Sequence, residues 1–181
     1  MFIVYCLYVV MRISRGYRNN NPLNIRRCAK NRWVGLAEVQ GDGEFCVFRS
    51  MVYGFRAAFV LLRTYGRRYG CNTLRGIISR FAPPGENDTG AYVDFVSHRV
   101  GIGADCPIAG NDADLWIRIV KAMAVYENGS EPRHEDVVSG WQLARGLSQT
   151  IVNELMPILK GHELPSACMA QAIETALNIS L

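Results

Sequence analysis

The sequence predicts a mostly α-helical (α+β) domain that carries one small β-hairpin. Apolar residues recur at spacings of three and four in several segments after residue 50, which is the periodicity of an amphipathic helix. Capping residues, prolines and glycines separate these segments, and a short stretch around a Gly-Asp-Gly turn is typical of two paired strands. With 181 residues, 49% of them hydrophobic, the chain can bury one sizeable core.

The predicted helices follow one another from residue 50 onward. The first has an apolar stripe that must face the core. The second ends at the prolines of "APPGEND", because proline cannot continue a helix. The helices are expected from Ser50 onward with the stripe Phe55, Phe59, Leu62 and Tyr65, after Thr73, from the N-cap Asp88, from Asn111 or Asp112 to Asn128, over 135–146 and 149–160, and after Ser166.

Three regions are expected along the chain. Residues 1–16 are interpreted as an N-terminal extension, with Met11 as an alternative start. Residues 17–147 form the main domain, which begins with an ordered Asn- and Pro-rich loop over 17–35 and continues with the hairpin "LAEVQGDGEFCVF". Residues 148–181 are expected to be accessory helices.

Composition excludes several classes of protein. The apolar run "MFIVYCLYVV" has ten residues, too few to span a bilayer, and it lacks the basic start and cleavage site of a signal peptide. We therefore expect cytoplasmic synthesis. A net charge of +4 suits an anionic partner without identifying it.

The cysteines and histidines do not indicate a metal site or a cofactor. No C-x-x-C pair and no H-E-x-x-H spacing occurs, so the cysteines are interpreted as reduced core residues and no metal is expected. The six cysteines are Cys6, Cys28, Cys46, Cys71, Cys106 and Cys168.

Glu127 is the residue whose position most needs an explanation. It follows Met123 by four residues and Val120 by seven, so it lies on the apolar face of its helix. It also occupies the last turn, where the helix dipole disfavours a negative charge. Both effects raise the pKa, as a general acid requires. The alternative is an ordinary helix-end carboxylate paired with Arg118 or Lys121.

Three segments together resemble lysozyme-like enzymes that degrade peptidoglycan. "AMAVYENGSEP" resembles the A-x-x-x-x-E-S-x-x-x-P element of lytic transglycosylases, with Asn128 in place of the usual Ser. "FAPPGENDTGAYVDFV" resembles their P-x-x-E-T-x-x-Y-V-x-x-V element, with two extra residues before Thr89. "YRNNNPLNIRR", followed by a W-x-G and by "FCVFRSMVYGFRA", resembles a segment of wall glucosaminidases and phage lysins.

The order of these elements is unusual, because the element with the glutamate comes last. A circularly permuted lysozyme-like core would give this order. The arrangement resembles a family of small phage and prophage proteins, often labelled structural protein, that includes the peptidoglycan lysin of cystoviruses. The resemblance implies peptidoglycan and virion components as partners, and association with a virion or release to the periplasm after cytoplasmic synthesis.

The resemblance also implies roles for particular residues. Glu127 would be the catalytic acid, and Glu86 a second catalytic residue or an acceptor for helix N–H groups. Tyr92 would orient substrate or lie in the core, and Trp33 would stack on sugars or pack in the hairpin. The remaining substrate-binding candidates are Thr89 and the asparagines Asn20, Asn21 and Asn24, which could instead bond their own backbone.

Other functions remain open at this stage. An endopeptidase, or a non-catalytic phage structural or wall-binding protein, would fit the same resemblance. A nucleic-acid surface is not expected, because Tyr65 and Tyr69 fall on the apolar stripe. The arginines near them are therefore interpreted as a solvated helix face: Arg63, Arg67, Arg68, Arg75 and Arg80.

Overall fold

Helices make up most of the structure, a computed structural model that describes residues 13–85 and 88–147 together with Asn153 and Pro157. The mostly α-helical prediction is confirmed. The helices predicted over 149–160 and after Ser166 lie outside the described residues, apart from the two isolated positions. The described helices are α1 (Arg15–Arg18), α2 (Met51–Tyr69), α3 (Leu74–Phe81), α4 (Thr89–Val100), α5 (Ala113–Asn128) and α6 (His134–Ala144).

Helix α2 packs along α6 to form the centre of the core, and α5 packs against α4 and α6. The predicted stripe of α2 is buried at Phe55, Phe59 and Leu62. A Cβ added at Gly140 would lie 2.4 Å from the Cβ of Phe55, so this glycine permits the close approach of the two helices. Beside it, the rings of Phe59 and Trp141 meet edge to face at 5.2 Å.

The predicted helix boundaries after residue 70 agree with the caps in the structure. Asp88 accepts a hydrogen bond from the N–H of Ala91 at 2.9 Å, and Asp112 accepts one from Leu115 at 3.0 Å. These side chains satisfy N–H groups that have no partner inside the helix. At the other end of α5, Gly129 has φ of 72°, the left-handed conformation that ends a helix.

The predicted β-hairpin is not confirmed, since residues 36–48 form only isolated antiparallel bridges. The side chain of Gln40 forms backbone hydrogen bonds of the kind that a neighbouring strand would otherwise form. Its Nε2 donates to the carbonyls of Ala37 and Val47, and its Oε1 accepts from the N–H of Val47. Asp42 accepts the N–H groups of the two residues that follow Gly43. Side chains therefore satisfy backbone groups that a strand ladder would otherwise use.

The predicted domain boundary after residue 16 falls inside α1. The Ser14 hydroxyl caps this short helix by accepting from the N–H of Tyr17. Arg15 binds Asp42 through two nitrogens, each at 2.7 Å. A bidentate pair of this kind holds the segment on the domain. Residues 14–16 thus belong to the main domain.

The basic segment after Leu62 differs from its prediction. Tyr69 is 53% exposed, so its expected place on the apolar stripe is wrong, whereas Tyr65 packs partly against the core. The guanidinium of Arg80 lies over the Tyr69 ring, 3.2 Å from its centroid. Arg75 pairs with Asp105 at 2.8 Å. Two of the five arginines are therefore engaged in contacts with other side chains.

Two further expectations concern metals and membranes. Within residues 13–85 and 88–147, no cluster of His, Cys, Asp or Glu could hold a metal ion, and no helix could cross a bilayer. The cysteines described there are free thiols. Cys46 is buried and Cys71 partly so, but Cys28 and Cys106 are exposed, and the expectation of core residues is wrong for these two.

Candidate functional site

The carboxylate of Glu127 lies between the loop that carries Asn24 and helix α4. It extends from the last turn of α5, just after the buried residues Met123 and Ala124. The Nδ2 of Asn24 donates to its Oε2 at 3.0 Å. The hydroxyl of Tyr92, on α4, donates to the carbonyl of Met123 at 3.4 Å and lies beside this carboxylate, whose charged form it favours. Three distant segments of the chain therefore meet at one acidic group.

The electrostatic environment favours the protonated form of Glu127. Burial raises its pKa above the ordinary 4.5, and the hydrogen bond from Asn24 and the nearby Tyr92 hydroxyl offset only part of that increase. The cations proposed as alternative partners pair elsewhere. Arg118 binds Asp114 at 2.8 Å and Lys121 binds Glu131 at 3.3 Å, so neither serves Glu127. A desolvated carboxyl with no counter-ion among the described residues favours its protonated form, as a general acid requires.

Tyr92 supports this carboxyl from inside the core. Its ring is 1% exposed, stacks on Tyr126 at 3.9 Å and meets Phe81 edge to face at 6.3 Å. Burial, and then the negative charge of Glu127, raise the pKa of the phenol well above 10.0. Tyr92 therefore remains a proton donor. With so little exposed surface, it has no face for the sugar contact that the sequence suggested.

Asn24 has an unusual backbone that aims its side chain at Glu127. Its φ is 48°, in the left-handed region that asparagine tolerates better than most residues. The amide nitrogen is used on Glu127, while Oδ1 is buried and has no hydrogen-bond partner among the described residues. Of the three predicted asparagines, this one contacts the candidate acid.

Asn20, Asn21 and Thr89 serve the backbone instead. Asn21 is fully buried, and its amide bonds Ile25 and the carbonyl of Cys46. Asn20 donates to the carbonyl of Phe48 at 3.0 Å. Thr89 is 8% exposed and donates to the carbonyl of Ala82 at 2.7 Å. The polar atoms of Asn21 and Thr89 are thus bonded inside the protein, and the substrate contacts expected for these residues stay predictions.

The predicted residue Trp33 is not brought to Glu127. Trp33 is half-buried and packs against the core, and its indole nitrogen is buried with no hydrogen-bond partner in the described part of the chain. Glu86 lies outside the described residues. The site as described therefore contains one carboxyl group, that of Glu127.

A second asparagine beside the acid was missed as a site residue. Asn128 accepts from the Ser14 hydroxyl at 2.6 Å, and its Nδ2 donates to the carbonyls of Pro22 and Ala124, each at 2.8 Å. A Cβ at Gly16 would lie 2.3 Å from the Asn128 Oδ1, so glycine is needed there. The sequence did carry a signal for this residue, because asparagine follows the glutamate at the position where the lytic transglycosylase element has serine.

Tyr126 is an exposed aromatic residue beside the site. It is 38% exposed although it stacks on Tyr92, and its ring also lies 5.3 Å from that of Phe95. Nearby, the Tyr17 hydroxyl donates to the carbonyl of Ser130 at 2.8 Å. These contacts connect α1 and α4 to the end of α5, so the acid is held by both neighbours.

Comparison with known proteins gives one informative similarity. The chain is 39% identical over 132 residues to "Protein P5" of Pseudoalteromonas phage PM2, a match that covers 71% of this chain and 81% of that protein. No family model matches the chain.

Proposed function

The chain belongs to the family of Protein P5 of Pseudoalteromonas phage PM2, and we propose that it is a peptidoglycan lysin that cleaves the β-1,4 bond between N-acetylmuramic acid and N-acetylglucosamine. The observation that carries this proposal is the environment of Glu127. It is a partly desolvated carboxyl with a raised pKa, no paired cation among the described residues, and the neutral side chains of Asn24 and Tyr92 beside it.

The phage relationship supports the proposal only in part. A phage must pass the wall of a bacterial cell, so a wall-degrading protein suits a phage family. The printed name of the relative states no reaction. The chemistry of the site must therefore carry the assignment.

In the proposed reaction, protonated Glu127 donates its proton to the glycosidic oxygen. The bond from that oxygen to the anomeric carbon then breaks, which leaves an oxocarbenium-like centre on the muramic acid residue. The Glu127 carboxylate next removes a proton from water, or from the 6-hydroxyl of the same sugar, and the deprotonated oxygen bonds the anomeric carbon. The second route gives a 1,6-anhydro product and returns Glu127 to its protonated state.

Asn24 and Tyr92 act as positioning residues in this scheme. The Asn24 N–H donates to the Glu127 carboxylate and the Tyr92 hydroxyl lies beside it, so both groups stabilise the carboxylate after it loses its proton. The bond from Asn24 also fixes the direction of the side chain. One protein carboxylate is sufficient, because the N-acetyl group of the substrate can stabilise the positive centre, as in glycosidases with substrate assistance.

The test is fragment release from purified Gram-negative sacculi, with the products identified by mass spectrometry. We expect Glu127→Gln to lower release by about 10²- to 10⁴-fold, the usual contribution of a general acid. Glu38→Gln is the matched control, because Glu38 is an exposed carboxylate. Glu86→Gln, measured beside them, tests the second predicted acid.

The outcomes separate the candidate functions. Anhydro or reducing muropeptides from wild type, lost in a folded Glu127→Gln protein, support glycan cleavage. Free stem peptides with intact glycan strands would show an endopeptidase instead. Full activity of Glu127→Gln would mean that another group is the acid.

A non-catalytic phage structural or wall-binding protein is the second candidate. It is favoured by the fact that both polar groups beside Glu127 come from the protein itself, as they would around a purely structural buried carboxyl. This reading predicts that wild type binds sacculi and releases nothing. Cosedimentation with sacculi, run beside the release assay, distinguishes it from an inactive preparation that does not bind.

A further inference from the structure

A second candidate site lies at the opposite end of α5 from Glu127. A cavity of about 940 Å³ is bounded by α2, the start of α5 and the end of α6. Its wall includes Ala113, fourteen residues before Glu127, which is roughly 20 Å along a helix that rises about 1.5 Å per residue. This cavity is therefore separate from the proposed catalytic site. Its volume falls within the range of small-ligand sites.

One side of this cavity is strongly cationic. Arg63, Arg67 and Arg145 all line it. Partial burial lowers the pKa of Arg63, and the positive charges of Arg67, Arg145 and Arg56 lower it further. Neither Arg63 nor Arg67 forms an ion pair with any residue in the described ranges. Like charges that crowd together in this way favour an anionic ligand between them.

The acidic residues of the cavity do not neutralise this cluster. Asp112 caps α5 through the N–H of Leu115, and Asp114 pairs with Arg118 at 2.8 Å. Both carboxylates belong to the α5 side of the cavity and already have partners. The charge of Arg63 and Arg67 is therefore left for a ligand.

The floor of the cavity adds apolar and aromatic surface. Phe59, Ile108, Trp116 and Trp141 contribute to it. Trp141 is only 5% exposed, and its indole N–H is buried without a hydrogen-bond partner among the described residues. That nitrogen is shielded from the cavity, so Trp141 offers ring surface to a ligand and not a hydrogen bond.

We propose that this cavity binds an organic phosphate, with the phosphate against Arg63 and Arg67 and an apolar or ring portion on the tryptophan floor. A phosphate monoester carries a charge of about −1.5 to −2 at neutral pH. A cluster of several cations therefore attracts it more strongly than it attracts a carboxylate, which carries a single negative charge. The planar guanidinium matches phosphate oxygens in a bidentate manner. The inference is independent of the proposed lytic activity.

Phenyl phosphate is the probe, because it combines the two features in one small molecule. Two of the three tryptophans in the chain line the cavity, so intrinsic fluorescence should report binding directly. We expect saturable binding that weakens with salt, at least about tenfold weaker binding to Arg63→Gln/Arg67→Gln, and no binding of phenol. Glu127→Gln should bind phenyl phosphate as wild type does.

The control is Arg32→Gln/Arg68→Gln, which removes the same charge from exposed residues outside the cavity wall. It should bind as wild type does. Absence of saturable binding to wild type, or equal weakening in the two double variants, would overturn the proposal. Cosedimentation with phosphatidic acid vesicles that requires Arg63 and Arg67 would assign the phosphate to a lipid headgroup. Binding of phenyl phosphate without such cosedimentation would assign it to a soluble ligand.

Discussion

Asp42 and Glu127 are two carboxylates that bind the same stretch of chain, residues 15–24, and their pKa values shift in opposite directions. Asp42 binds the Arg15 guanidinium, two backbone N–H groups and the Asn19 amide, which hold its pKa well below the ordinary 3.8. Glu127 has no cationic partner in the part of the chain that the structure describes, and burial raises its pKa. The comparison teaches that the first carboxylate is suited to hold structure, whereas the second can exchange a proton.

The largest effect on stability should come from Gly16→Ala, because the new Cβ would collide with both the end of α5 and the loop that carries Asn24. The new Cβ would lie 2.3 Å from the Asn128 Oδ1 and 2.9 Å from the Asn21 carbonyl. We expect a loss of about 1–3 kcal/mol in the free energy of unfolding, measured with urea. Gly41→Ala is the control, since nothing lies within 4 Å of its Cβ. Equal stability of the two variants would contradict the close contact.

Asp42→Asn should lower stability at neutral pH, by less than the glycine change. A carboxylate with a depressed pKa contributes stability above the unfolded value of 3.8, and that contribution is lost as the pH falls through the folded pKa. The urea midpoint of the variant should lie below that of wild type at pH 7, and the gap should narrow below pH 3.8. A gap that is independent of pH would show that Asp42 acts through its shape and not through its charge.

Replacement of Asn24 tests the environment of Glu127, the carboxylate that is compared with Asp42. Asn24→Gly removes the donor to Glu127 but tolerates φ of 48°, whereas Asn24→Ala adds backbone strain of about 1–2 kcal/mol. Because the hydrogen bond favours the carboxylate, its loss should raise the pKa of Glu127 further. The alkaline limb of the pH profile of glycan release should then move to higher pH in both variants, and only the alanine variant should show the additional loss of stability.

The smallest effect concerns the pH dependence of stability in Glu127→Gln. A raised pKa means that the folded protein holds this proton more tightly than the unfolded chain does. The stabilisation is complete below 4.5 and is lost as the pH rises through the folded pKa. Wild type should therefore lose stability relative to Glu127→Gln over this interval, by about 1.4 kcal/mol per unit of pKa shift. If the free energies of unfolding of the two proteins ran parallel from pH 4 to 8, the raised pKa of Glu127 would be contradicted.

The sequence predicted the features that depend on nearby residues. The apolar stripes of α2 and α5, the caps at Asp88 and Asp112, and the inward face of Glu127 all follow from spacings of three and four. The hairpin is not confirmed, because Gln40 satisfies the backbone with its side chain, which a pattern of apolar residues does not reveal.

The partners of Glu127 could be predicted only in part. Resemblance singled out both Tyr92 and Asn24, but it assigned them to substrate, whereas their polar groups face the carboxylate. The position of Asn24 depends on a left-handed backbone, and that of Asn128 depends on Ser14, more than a hundred residues away. Contacts across such distances arise from tertiary packing, which local periodicity does not encode.

The span of these contacts has a consequence for the order of folding. The bond from Asn24 to Glu127 joins residues 103 positions apart, and that from Ser14 to Asn128 joins residues 114 apart. Closing a loop of that length is slow compared with forming a helix. During synthesis, α5 emerges long after residues 14–24, so the proton of Glu127 gains its final environment only when nearly the whole described domain has been made.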